Sequence, residues 1–109
     1  MQRDRYEAAA ALAQRFNAIV VLKGAGTIVS DGTRHAVGPG GNPALATGGT
    51  GDVLTGLVAA LRAQGLGAYE AACAAVVAHA SAAARVAARG ERGALAGDLV
   101  AEFPAVLNP

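Results

Sequence analysis

Lysine, cysteine and methionine each occur only once in this sequence, and tryptophan not at all. A single cysteine, Cys73, excludes an intrachain disulfide. It also lacks metal-type spacing, so a reducing, cytoplasmic setting is expected. Aromatic residues are 4% of the chain, while apolar residues reach 53%, much of it alanine. A core of alanine, valine and leucine buries less area per residue than one rich in large side chains. The fold should therefore be small and dependent on close packing, or on a partner surface. Net charge is +1 and the arginines are scattered, with no basic stripe and no interleaved aromatics. That gives nucleic-acid binding no support. An alanine-rich uncharged run lies between Glu70 and Arg85. It falls short of the roughly 20 apolar residues a membrane helix needs. The first residues, "MQRDRYEAAA", have no apolar core of the signal-peptide kind.

What is present reads as one α/β domain. Residues 4–16 form an amphipathic helix, with Tyr6, Ala9, Ala10, Ala13 and Phe16 on one face, and Asn17 as its stop. "AIVVLKG" (18–24) is a continuous rather than alternating apolar run. Such a run suits a strand buried on both faces, as in a parallel sheet. Segments 27–32 and 34–37, divided by Asp31-Gly32, read as a β-hairpin. Residues 38–49 form a loop punctuated by glycine and proline. A helix starts near Thr50–Asp52 with Val53, Leu54, Leu57, Val58 and Leu61 on one stripe, and stops near Gly65. A second helix spans 69–88, a turn spans 89–93, and a last helix runs from Asp98, its expected N-cap, towards Leu107.

The chemistry concentrates in "TGGTGD" (47–52), a glycine-rich segment leading into a helix. The first amides of a helix have no intrahelical partner, and its dipole adds positive potential there. Glycines let an anion approach the backbone. The competing reading is a tight turn with Thr50 or Asp52 as an ordinary N-cap, and these residues alone leave the two about even. If a phosphoryl group binds there, Asp52 can take a proton from a substrate hydroxyl. The segment is not a P-loop, because Leu57 follows Gly56 where that motif has lysine. "GAGTIV" (24–29) is not a dinucleotide fingerprint, because Val29 replaces its third glycine and a strand follows. Lys23 ends the first strand, where α/β sheets bind ligands, although a lone lysine there is usually just solvated. His79 reads as a packed core histidine, His35 as exposed, and Cys73 as a small buried hydrophobe. No cluster has metal-ligand spacing, so a metal would arrive with phosphates.

"VVLKGAGT", "DG", "NPALATGGTGDVLTGLVAALRAQGL", "AYEAA", a histidine in the next helix and "GALAGDL" follow one another in order. In this the chain resembles the C-terminal part of the ADP- or ATP-dependent NAD(P)H-hydrate dehydratases, of the ribokinase-like superfamily. The resemblance covers nearly all of residues 1–109 and implies part of a three-layer α/β/α fold: a buried strand, a hairpin, then three helices. It implies an enzyme that repairs NADHX and NADPHX, phosphorylating the added hydroxyl and eliminating phosphate. ADP or ATP would be the co-substrate, with Mg²⁺ accompanying the nucleotide. Carried over by motif, Lys23, Gly24, Ala25, Gly26, Thr27 and Gly51 would contact the AMP portion. Gly48, Gly49, Thr50 and Gly51 would form an anion hole, and Asp52 would meet the hydrate as the catalytic base.

Two departures accompany the resemblance. A complete family domain is much longer, and Met1 falls at the turn before a late helix. The expectation is therefore a fragment, at most partly active alone, that self-associates or pairs with an N-terminal half. In "HASAAARVA" (79–87), alanines stand where relatives often have glycines. Alternatives are a related small-molecule kinase, since the superfamily shares the anion hole and the aspartate, or a non-catalytic nucleotide-binding or assembly fragment.

Overall fold

The computed structural model describes residues 2–23, 26–40, 49–89 and 96–107. The elements come in the order α1 (Gln2–Phe16), β1 (Val20–Leu22), β2 (Gly26–Ser30), β3 (His35–Gly40), α2 (Thr50–Ala63), α3 (Ala68–Ala88) and α4 (Ala96–Leu107). Residues 41–48 of the expected loop and 90–93 of the expected turn lie outside the described residues.

Helix α1 lies against β1 and β2. Ala9 and Ala13, one turn apart, are buried, and their small side chains let the helix approach the sheet closely. Phe16 departs from the expected face and is 65% exposed. The backbone reverses at Asn17, with φ of 49°, directly after it, so the last turn of the helix overhangs. The Arg15 guanidinium covers the Phe16 ring at 5.6 Å.

The three strands form an antiparallel meander, with Val21 opposite Val29 and Val29 opposite Ala36. The expectation of a strand buried on both faces and of parallel type is corrected here. β1 is half-buried at all three positions, because among the described strands it has one neighbour and forms an edge. β2 is the central and most buried strand. Alternation sends Ile28 and Val29 to opposite faces. Val29 joins the core formed with α2 and α3, while Ile28, fully buried, is not part of that cluster. The sheet thus lies between α1 on one side and the later helices on the other.

The hairpin turn is held by Asp31, whose Oδ1 accepts the amides of Thr33 and Arg34. Its Oδ2 accepts the Arg34 Nε at 2.7 Å. These bonds, the Arg34 side chain first, hold the Asp31 carboxyl at a pKa of about 2. β3 continues to Gly40 instead of ending at Val37. An edge strand tolerates glycine and proline, and Gly38 has a packing role. A Cβ there would sit 2.5 Å from Val76 Cγ1, so its absence admits α3 close to the sheet.

Leu54, Leu57 and Leu61 of α2 are buried, as their spacing requires, and Gly65 (φ 103°) turns the chain just beyond the helix end. α3 is 21 residues long and, by length and hydropathy, long enough to cross a membrane. It is also the central helix, burying Ala71, Ala75, Ala82 and Ala83 completely and packing on the sheet, α2 and α4. His79 is buried on it, as expected, and His35 is exposed, stacking on the Tyr6 ring at 4.7 Å. Cys73 is half-buried instead of buried. α4 begins at Ala96, so Asp98 stands in its first turn and not at the N-cap. An aspartate is favourable there because of the helix dipole.

Glu102 joins α4 to α3. Its Oε1 accepts Arg85 Nε and its Oε2 accepts Arg89 Nη2, both at 2.7 Å. Arg89 first, then Arg85, holds this carboxyl below its ordinary value of 4.5. A depressed folded-state pKa contributes stability that is present above the unfolded value and lost as pH falls through the folded one. Melting temperature should therefore fall on acidification below the ordinary carboxylate range. In Glu102→Gln the melting temperature should be lower at neutral pH and flatter with acid. Identical pH profiles for the two chains would remove this pair of bonds as a stabilising element.

Candidate functional site

The two segments that carry the sequence signal meet in space. Lys23 leaves the end of β1. Its ammonium reaches the first turn of α2, where a Cβ built on Gly51 would lie 2.8 Å from Lys23 Nζ. Gly51 is therefore selected by proximity: a side chain there would displace the cation. Lys23 is otherwise exposed, and among the described residues no ion pair or hydrogen bond engages it.

The start of α2 resolves the two readings of "TGGTGD" on the capping side. Neither Thr50 nor Asp52 is the N-cap. Gly49 occupies that position in the left-handed region (φ 91°, ψ −8°), and among the described residues no side chain caps the helix. A residue with a Cβ is strained at that φ, which accounts for glycine. The Gly49 carbonyl accepts the amide of Val53 at 3.1 Å, closing the first turn. Thr50, Gly51 and Asp52 are thus the first three helical residues, the ones whose amides have no intrahelical acceptor. Asp52 is exposed, and nothing ties it into the fold as a cap.

An ammonium beside the positive end of a helix is an unfavourable pairing on its own. Both features attract the same thing, an anion, and one placed between them would satisfy both. The arrangement can hold a phosphate through amides and Lys23, with a carboxylate next to it free to accept a proton.

The other expected residues divide. Gly26 is buried at the start of β2, opposite Gly40, and packs tightly, since a Cβ would come within 3.3 Å of Val37 Cγ1. Thr27 is half-buried beside it. Gly24, Ala25 and Gly48 lie outside the described residues. Among the described residues no three His, Cys, Asp or Glu side chains converge to hold a metal. Mg²⁺ would fit here through a nucleotide's own phosphates and water. A cavity of about 450 Å³ lies elsewhere, lined by Cys73, Val77, Ser81 and Val106 among others.

One residue escaped the sequence reading. Arg5, in the second turn of α1, donates from Nη2 to the Gly26 carbonyl at 2.9 Å and, at a long 3.5 Å, to that of Leu22. It thus bridges the two ends of the connection that carries Lys23. The available signal was its spacing, since Arg5 precedes buried Ala9 and Ala13 by one and two turns on the same stripe.

The Lys23–Gly51 proximity has a direct consequence. Gly51→Ala should fold normally and gain up to about 1 kcal/mol from alanine's helix preference, because the only obstacle is the tip of a flexible side chain. The resonances of the single lysine should shift in that variant. Unchanged lysine signals would place the ammonium away from α2.

Comparison with known proteins identifies the family. Residues 1–105 match the Carb_kinase family, NAD(P)H-hydrate dehydratase. The chain is 47% identical over 109 residues to the bifunctional NAD(P)H-hydrate repair enzyme Nnr of Vibrio cholerae, covering 99% of this chain and 22% of that protein. It is 46% identical over 84 residues to the ADP-dependent (S)-NAD(P)H-hydrate dehydratase of Neisseria meningitidis, covering 76% of this chain and 28% of that protein. A crystal structure of the Bacillus subtilis ADP/ATP-dependent NAD(P)H-hydrate dehydratase, co-crystallised with ATP/Mg²⁺, superimposes with a TM-score of 0.85 at 31% identity. That match covers 97% of this chain and 39% of the other. The chain therefore spans well under half the length of these relatives, and by its sequence motifs, its family match and its fold it belongs to the NAD(P)H-hydrate dehydratase family.

Proposed function

We propose that this chain forms the nucleotide-phosphate side of an ADP-dependent NAD(P)H-hydrate dehydratase site. The observation that carries the reading is the Lys23 ammonium held against Gly51 at the uncapped start of α2. The donor phosphates lie between Lys23 and the amides of Thr50, Gly51 and Asp52, joined by Gly48 and Gly49 in the anion hole. Gly24, Ala25, Gly26 and Thr27 line the AMP portion. Asp52 accepts the proton of the hydrate hydroxyl as that oxygen attacks the phosphoryl group. The amides meanwhile stabilise the charge developing on the transferring phosphate. AMP leaves from the ADP donor, and loss of the phosphate together with a proton from the adjacent ring carbon then restores NADH or NADPH. Mg²⁺, when bound with the nucleotide, neutralises phosphate charge. Family membership, and relatives named for hydrate repair and ADP dependence, favour this reaction over that of a sugar or pyrimidine kinase. A cytoplasmic setting suits such a repair reaction and the single thiol.

Calorimetric titration with ADP and with adenosine tests the phosphate site. ADP should bind more tightly, and Lys23→Ala should lose about tenfold in ADP affinity while adenosine is unaffected. Turnover of NADHX with ADP and Mg²⁺, followed by NADH absorbance, tests the base. Asp52→Asn should lower the rate by about 10²–10⁴-fold and leave ADP affinity near that of the parent. Equal rates in the two chains would remove Asp52 from that role.

We further propose that the chain associates, with a second copy or with the remainder of a family domain, through the open edge of β1. β1 has a neighbour on one side only among the described strands, and open edges pair. Light scattering should report a species larger than one chain. A stable, well-folded monomer would overturn this.

A further inference from the structure

We propose that Arg5 is a positioning residue for Lys23: its guanidinium clamps the β1–β2 connection so that the ammonium is delivered to the start of α2. The inference rests on the phosphate-site reading above and deepens it. The β1–β2 pairing ends at Leu22 opposite Ile28. The pairing of β2 with β3 is irregular between Gly26 and Ile28, at the far end of the same connection. Lys23 therefore lies just past the last strand pair, at a point where the sheet ladder does not hold its backbone. Arg5 crosses from α1 to this point. It donates to the Gly26 carbonyl at 2.9 Å, with the Leu22 carbonyl at 3.5 Å from the same nitrogen. A charged donor on a carbonyl makes one of the stronger hydrogen bonds. These backbone contacts fall on either side of Lys23 in sequence, so they fix where the lysine stem begins.

α1 supplies an internal comparison. At its other end Gln14 Nε2 donates to the Gly32 carbonyl at 2.6 Å. This is a tether of the same kind, from the same helix to the same sheet, at the hairpin turn instead of the Lys23 connection. If Arg5 only fastened helix to sheet, losing either tether would have the same effects.

Labelling with ¹⁵N-lysine reports this cleanly, because the chain has one lysine and so one labelled backbone amide. Arg5→Met removes the donor at similar length, and Gln14→Ala removes the other tether. Arg5→Met should shift the Lys23 amide resonance, speed its hydrogen exchange and weaken ADP binding about tenfold. Gln14→Ala, with a comparable fall in melting temperature, should leave the resonance and the affinity at parent values. Arg5→Gln keeps a neutral donor on a shorter stem and should give smaller changes in the same direction; it carries the comparison if Arg5→Met does not fold. A Lys23 resonance unmoved by both Arg5 variants, or moved equally by Gln14→Ala, overturns the clamp. A parent chain that does not bind ADP overturns the nucleotide reading instead, and the lysine resonance still decides whether Arg5 positions Lys23.

Discussion

The site depends on one electrostatically awkward contact: a lysine ammonium held at the positive end of a helix. The fold makes room for it by placing glycine at position 51, so that Lys23 Nζ can occupy the space a Cβ would need. Neighbouring features follow from the same constraint. Gly49 adopts a left-handed conformation that lets α2 begin without a side-chain cap, leaving its first amides available. The alanine faces of α1 and α3 and the missing side chain at Gly38 bring the layers close to the sheet. In a protein with few large side chains, close approach replaces bulk. The distances between elements are correspondingly sensitive to single methyl groups.

Stability and site geometry are served by different residues. α4 is fastened to α3 through Glu102 and its two arginines, and the hairpin turn closes on Asp31. Neither interaction touches the start of α2. The two ends of the β1–β2 connection are met by Arg5, a residue of the first helix that donates to backbone carbonyls there. The two cations lie 18 residues apart in the chain, and the backbone that Arg5 binds flanks Lys23 on both sides.

Much of the fold was legible in sequence, because periodicity survives in helices whatever their neighbours. α2, α3 and the hairpin lie within a few residues of their expected limits. The errors share one cause: burial depends on neighbours that a local pattern does not contain. The apolar run at 18–24 resembled a doubly covered strand, yet β1 is an antiparallel edge among the described strands. Phe16 continued the apolar stripe of α1, but the reversal at Asn17 leaves it outside the packed part of the helix. Asp98 looked like a cap because cap preference is statistical, while the start of α4 lies two residues earlier.

The sequence by itself determined the residue types of the site and the order of its motifs: a lysine ending an apolar strand, then glycines and an aspartate opening a helix. Those identities are the ones an anion site would call for, since glycine lets an anion approach the backbone and a carboxylate can accept a proton. Spacing alone could not separate a capped turn from an anion site, because both use the same residues. Tertiary structure decided the capping half of that question by putting Gly49, and neither Thr50 nor Asp52, at the cap, and it set Lys23 beside Gly51, 28 residues away in the chain. It also decided that Arg5 belongs with them, across 21 residues to Gly26. Contacts between distant segments are set by how helices pack on a sheet, and no local pattern encodes them.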